Sequence, residues 1–153
     1  MNLTFTVFQT RAARKSLKMD PTLKAAIHGA LEQVANKELP QLDTFRLSLI
    51  SMSDAELLEL NQSTLGHDWF TDIITFELDR TEHTLEAELY ISAERALANA
   101  RRFRQAPDVE LLHLAIHGVL HLAGYSDKTP QQKKQMRKLE RLYLVHLSST
   151  PRS

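Results

Sequence analysis

The segment that most constrains this chain is DVELLHLAIHGVLHLA at residues 108–123. Wound as a helix, it carries apolar side chains almost all round: Leu111, Leu112, Leu114, Ala115, Ile116, Val119, Leu120 and Leu122. A helix without a polar face belongs in a core, with other elements wrapped around it. The remaining residues must therefore supply a sheet and further helices that cover it.

The pattern along the chain provides them. Residues 2–9 alternate, with Leu3, Phe5 and Val7 on one face and Thr4, Thr6 and Phe8 on the other, as in a strand. Asp20 followed by Pro21 is a helix start, and Leu23, Ile27, Ala30, Leu31 and Val34 recur at helical spacing before Pro40. Phe45–Met52 reads as a second strand. Ser53 with Glu56 forms a capping box for the next helix. Asp72–Leu78 and Leu85–Ser92 read as a strand pair joined by a turn at 80–83. A helix follows from Ser92 to about Arg104, then the apolar helix, then one from Thr129–Pro130 to about Leu147. The expected fold is α+β: a small mixed four-stranded sheet packed with about five helices. At 153 residues, the length fits one domain over 1–148 with a frayed tail at 149–153.

Composition excludes several classes. No apolar run is long enough to span a membrane. The alternating N-terminus is not expected to be a secretion signal. The absence of cysteine excludes disulfides and thiolate metal sites, in keeping with a cytoplasmic location. Net charge is zero, unlike a generic nucleic-acid binder. The charge is unevenly placed, however. Residues 43–88 hold eleven Asp/Glu and two Arg, whereas residues 94–141 hold ten Lys/Arg and five Asp/Glu. A basic half can hold a phosphate backbone. Alternatively, these cations are ordinary solvated helix faces.

Three histidines on a buried helix require partners, because unpaired buried polar groups are costly. His113, His117 and His121 lie four residues apart, on one drifting stripe. Both neighbouring pairs can chelate. Only His117 and His121 are followed by a glycine placed to end the helix, Gly124, and then by a carboxylate, Asp127. Two imidazoles and one carboxylate suit a divalent borderline ion, above all one zinc per chain, although nickel and manganese accept the same ligands. Three protein ligands leave a fourth position for water, as in catalytic sites. His113 is read as a core residue or as support behind the ligands. Gly118 follows the first histidine, so the glutamate base of an H-E-x-x-H peptidase is missing. Glu110 is a remote candidate for that base; its other reading is a charge at the helix start or behind the ligands.

The run His117-Gly118-Val119-Leu120-His121-Leu122-Ala123-Gly124-Tyr125 resembles, without a gap, the signature H-G-x-L-H-L-x-G-Y-D-H of the YbeY family of bacterial metal-dependent endoribonucleases. Ser126 and Asp127 then stand where the family has Asp and a third His. Leu60-Asn61 through Asp68, Thr71-Asp72-Ile73-Ile74-Thr75-Phe76 resembles a second family segment, with Leu65 in place of an arginine, Thr64 of a tyrosine and Phe70 of a proline. Glu110 and His113 match a glutamate and a frequent histidine on the family's metal helix. Leu85–Ser92 is similar to a family strand that carries Gly-Asp where Ala87 and Glu88 stand.

The resemblance implies a metal-dependent endoribonuclease that cuts single-stranded ribosomal RNA, in 3′-end maturation of the small-subunit RNA and in ribosome quality control. Its implied partners are that RNA and the ribosome or small-subunit proteins, with no DNA and no membrane. It implies metal ligation by His117, His121 and Asp127, and substrate contact by Asp72 and Thr75. Two other readings stand beside it. Leu65 in place of arginine favours a metallohydrolase of a different substrate. A closed metal shell would instead make the protein a non-catalytic ribosome assembly factor.

Overall fold

The computed structural model describes residues 1–148, without the side chains of residues 146–148. The expected tail at 149–153 lies outside the described residues. Four strands form one sheet: β1 (Asn2–Gln9), β2 (Thr44–Met52), β3 (Ile73–Arg80) and β4 (Thr84–Ser92), in the order β1-β2-β4-β3. β1 pairs with β2 and β2 with β4 in parallel, while β3 pairs with β4 antiparallel at one edge. The sheet is thus mixed, and the chain is α+β as expected.

The alternation seen in sequence becomes the two faces of this sheet. Phe45, Leu47 and Leu49 of β2 and Leu85, Ala87, Leu89 and Ile91 of β4 are buried on the face that carries the core. Leu3 is buried on that face, with Phe5 and Val7 packed against the core. Phe8 on the opposite face stays exposed.

Six helices occur among the described residues: α1 (Arg11–Ser16), α2 (Pro21–Glu38), α3 (Asp54–Leu65), α4 (Ala93–Arg102), α5 (Pro107–Leu122) and α6 (Pro130–Ser148). The expected count of about five omits α1. That helix is six residues long, buries only Ala13, and is started by Thr10, whose hydroxyl accepts from the Ala13 amide. It is too short to show periodicity. The expected capping box of α3 is present, with Ser53 and Glu56 each satisfying the other's backbone amide. α4 stops at Arg102, slightly short of the expected end, and Arg104 takes a left-handed φ of 54°.

α5 is the helix around which the rest is arranged. It packs against α2, α4 and α6 and against β3 and β4. Leu111, Ala115, Ile116, Val119 and Leu120 are fully buried. Gly118 packs tightly against the sheet: a Cβ there would lie 2.5 Å from Leu89 Cδ2 and 3.3 Å from Ile73 Cδ1. The position after the first histidine therefore faces the core and has no room for the carboxylate of a peptidase motif. No described helix is long and apolar enough to cross a membrane.

Candidate metal centre and cleft

The C-terminus of α5 is built to present its histidines. Gly124 takes φ 102°, as the sequence led us to expect of a helix stop. Its amide donates to the His121 carbonyl at 3.0 Å, and the Tyr125 amide donates to the Leu120 carbonyl at 3.1 Å. These two bonds form a Schellman turn that reverses the chain. On the other side, Arg80 of β3 donates to the Leu122 carbonyl at 2.7 Å, satisfying another helix-end acceptor. The reversed segment is tied down by the Tyr125 hydroxyl, which donates to Glu38 at the end of α2 at 2.9 Å. That carboxylate, acting first through the hydrogen bond, raises the Tyr125 pKa. Tyr143 of α6 donates to the same carboxylate.

This turn brings Asp127 to the histidines. Its Oδ2 lies 3.5 Å from His117 Nε2 and 3.4 Å from His121 Nε2, and the two Nε2 atoms are 2.9 Å apart. A triangle with these sides has a circumscribed radius of about 1.9 Å, so one ion at ordinary zinc–ligand distances of about 2.0–2.2 Å reaches all three corners. Among the described residues, these three are the group of His, Asp and Glu side chains close enough to share an ion.

The partners of the other ring nitrogens set the histidine tautomers. His117 Nδ1 lies 2.6 Å from Glu140 Oε2, and His121 Nδ1 lies 2.9 Å from the Tyr125 carbonyl. Both contacts are acceptors, so each Nδ1 carries the hydrogen and each Nε2 turns a lone pair toward Asp127. Two imidazole lone pairs and a carboxylate converging within 3.5 Å call for a cation between them. The donor set therefore fits a divalent ion on chemical grounds as well as by distance.

Glu140 is the residue that sequence reasoning missed. It lies on α6, is 4% exposed, and bridges two histidines: Oε1 accepts from His113 at 2.9 Å while Oε2 accepts from His117. Burial alone would raise its pKa, but the hydrogen bonds from His113 and His117 hold it at about 2. His113 is correspondingly pushed up to about 10, through Glu110 first and then Glu140. A signal was present: Met136, Glu140 and Tyr143 form one buried stripe on α6, and Glu140 is the charge within it.

His113 and Glu110 stand behind the ligands and do not line the cleft. Glu110 is 1% exposed, accepts from Asn99 at 3.4 Å and from Gln105, and lies 3.6 Å from His113 Nδ1. Asn99 also donates to Asp72 Oδ2 at 3.3 Å. A polar chain thus runs from Asp72 through Asn99, Glu110, His113 and Glu140 to His117.

The cleft itself measures about 770 Å³, within the range of ligand sites. Asp72, Thr75 and Glu77 line it on the β3 side, and His117, His121, Asp127 and Lys128 on the α5 side. His67, Trp69 and Leu65 line it as well. Asp68 holds the intervening loop as an acceptor for the Gln62 side chain of α3.

Comparison with known proteins identifies the family. The family model described as endoribonuclease YbeY matches residues 9–148. Endoribonuclease YbeY of Cytophaga hutchinsonii is 38% identical over 117 residues, covering 76% of this chain and 80% of its own. Its counterpart in Parabacteroides distasonis is 36% identical over 134 residues, covering 87% and 92%. The solution structure of a Thermotoga maritima protein superposes with a TM-score of 0.61 at 27% identity, over 94% of this chain and 89% of that one. On the match across nearly its whole length, this chain belongs to the YbeY endoribonuclease family.

Proposed function

We propose that this protein is a metal-dependent endoribonuclease that cleaves single-stranded ribosomal RNA during ribosome maturation, with one zinc held by His117, His121 and Asp127. The observation that carries the reading is the convergence of two Nε2 lone pairs and one carboxylate within 3.5 Å at the wall of an open cleft. The endoribonuclease name of its relatives supplies the substrate class.

An ion held there supplies Lewis acidity toward a phosphoryl oxygen and makes water a stronger acid. The chain's own residues prepare that site. Glu140 and the Tyr125 carbonyl keep the Nδ1 hydrogens in place and both rings oriented. Gly118 leaves no carboxylate beside His117, and Glu110 is fully engaged away from the cleft. Neither therefore serves as general base. Thr75 of β3 and Asp72, just before it, line the cleft and are assigned to substrate contact. Lys128 lines the cleft, and the exposed Lys133, Lys134, Arg137, Lys138 and Arg141 of α6 follow it along the chain. This basic run suits the phosphates flanking the scissile bond.

The test is cleavage of end-labelled single-stranded and duplex RNA by wild type and by His117→Ala. The expected result is cleavage of the single strand by the wild type alone. Turnover of small phosphodiesters with RNA left intact would move the protein to another class of metallohydrolase.

A further inference from the structure

We propose that Trp69, with His67 stacked on it, is a nucleobase platform at the mouth of the cleft. It would select single strands, whose bases are free to stack, over duplexes. The inference rests on the RNA reading given above.

Trp69 is 58% exposed, next to Phe70 and Leu65, which are also exposed. Its ring lies 4.2 Å from that of His67 at an interplanar angle of 17°, so the imidazole covers one indole face while much of the ring stays open. The exposure is not that of a loose loop. Gly66 ends α3 with φ 68°, and the His67 amide donates to the Asn61 carbonyl at 3.2 Å. Asn61, 2% exposed, donates from its side chain to the Trp69 carbonyl at 3.0 Å. A buried amide therefore fixes the backbone that displays the indole. Both rings line the same cleft as His117, His121, Asp127 and Lys128.

Stacking suits this cleft because Leu65 contributes no charge to it. A base laid on an aromatic ring is held without hydrogen-bond readout, at about 1–3 kcal/mol per base, or roughly fivefold to 150-fold in affinity. Bases paired in a duplex present no free face to the ring.

Trp69 is the single tryptophan of the chain, so its emission reports the contact directly. The experiment titrates the protein with a 2′-O-methyl single-stranded oligonucleotide, which resists cleavage, and follows tryptophan emission together with the anisotropy of a label on the strand. The expected result is quenching that saturates with the anisotropy. An abasic strand of equal length should bind without quenching. In Trp69→Ala the dissociation constant should rise about tenfold, and in Trp69→Phe by no more than about threefold. Binding without quenching, or an unchanged dissociation constant in Trp69→Ala, overturns the platform and leaves the nuclease reading standing. No binding of any RNA overturns both.

Discussion

Replacing Glu140 by glutamine tests the account at the point where fold and site meet. The carboxylate accepts from His113 at 2.9 Å and from His117 at 2.6 Å. A glutamine offers one acceptor oxygen and turns an NH2 group toward the other histidine. If His117 loses its acceptor, its Nδ1 hydrogen is left unpaired and the tautomer that frees Nε2 is no longer favoured. Loss of such a supporting contact weakens metal binding by about 10- to 100-fold. Stability falls too, because a buried charged hydrogen bond contributes about 1.5–3 kcal/mol and its surviving partner must be desolvated alone. The pH dependence carries a distinct signature. The His113 pKa is raised from 6.5 to about 10, so its contribution is complete below pH 6.5 and lost as pH climbs through 10. The Glu140 pKa is lowered from 4.5 to about 2, so its contribution is complete above pH 4.5 and lost as pH falls through 2. The pair stabilises most between those limits. Urea unfolding from pH 5 to 10 should show wild-type stability declining on the alkaline side, with a shallower decline in Glu140→Gln. Zinc affinity, measured by competition with a chromophoric chelator, should drop in the same variant. Wild-type affinity and an unchanged alkaline slope would refute the bridging role.

Other outcomes follow from the same geometry. Gly118→Ala places a Cβ 2.5 Å from Leu89 Cδ2 in a filled core; overpacking of about 1–3 kcal/mol should exceed the roughly 1 kcal/mol gain in helix propensity and lower Tm in a thermal melt. Gly124→Ala meets no atom within 4 Å but must hold φ 102°; a loss of about 1–2 kcal/mol in chemical unfolding is expected, with weaker zinc binding because the Tyr125 carbonyl shifts. Tyr125→Phe removes the bond to Glu38, and unfolding should register about 0.5–1.5 kcal/mol.

What the sequence disclosed was local. His117, His121, Gly124 and Asp127 lie within eleven residues, so helical spacing and one glycine stop were enough to predict their meeting. β2 and β4 were legible because one buried face imposes strict alternation. Glu140 was legible only as a charge on the stripe of Met136 and Tyr143; its bridging role was not, because that depends on how α6 lies across α5. α1 left no period to read, being one capped turn and a half around Ala13. The stacking of His67 on Trp69 depends on a loop path fixed by a buried asparagine, a contact that residue types alone do not encode.

The central claim is that one ion at His117, His121 and Asp127 is what RNA cleavage depends on. The direct measurement is a zinc titration of metal-stripped protein, with bound zinc read by native mass spectrometry and cleavage of single-stranded RNA followed on the same samples, for wild type, His121→Ala and Asp127→Ala. The account predicts that binding and cleavage in the wild type rise together and saturate at one ion per chain, while both variants do neither. Cleavage by the stripped wild type, or one tightly held zinc in both variants, would contradict it.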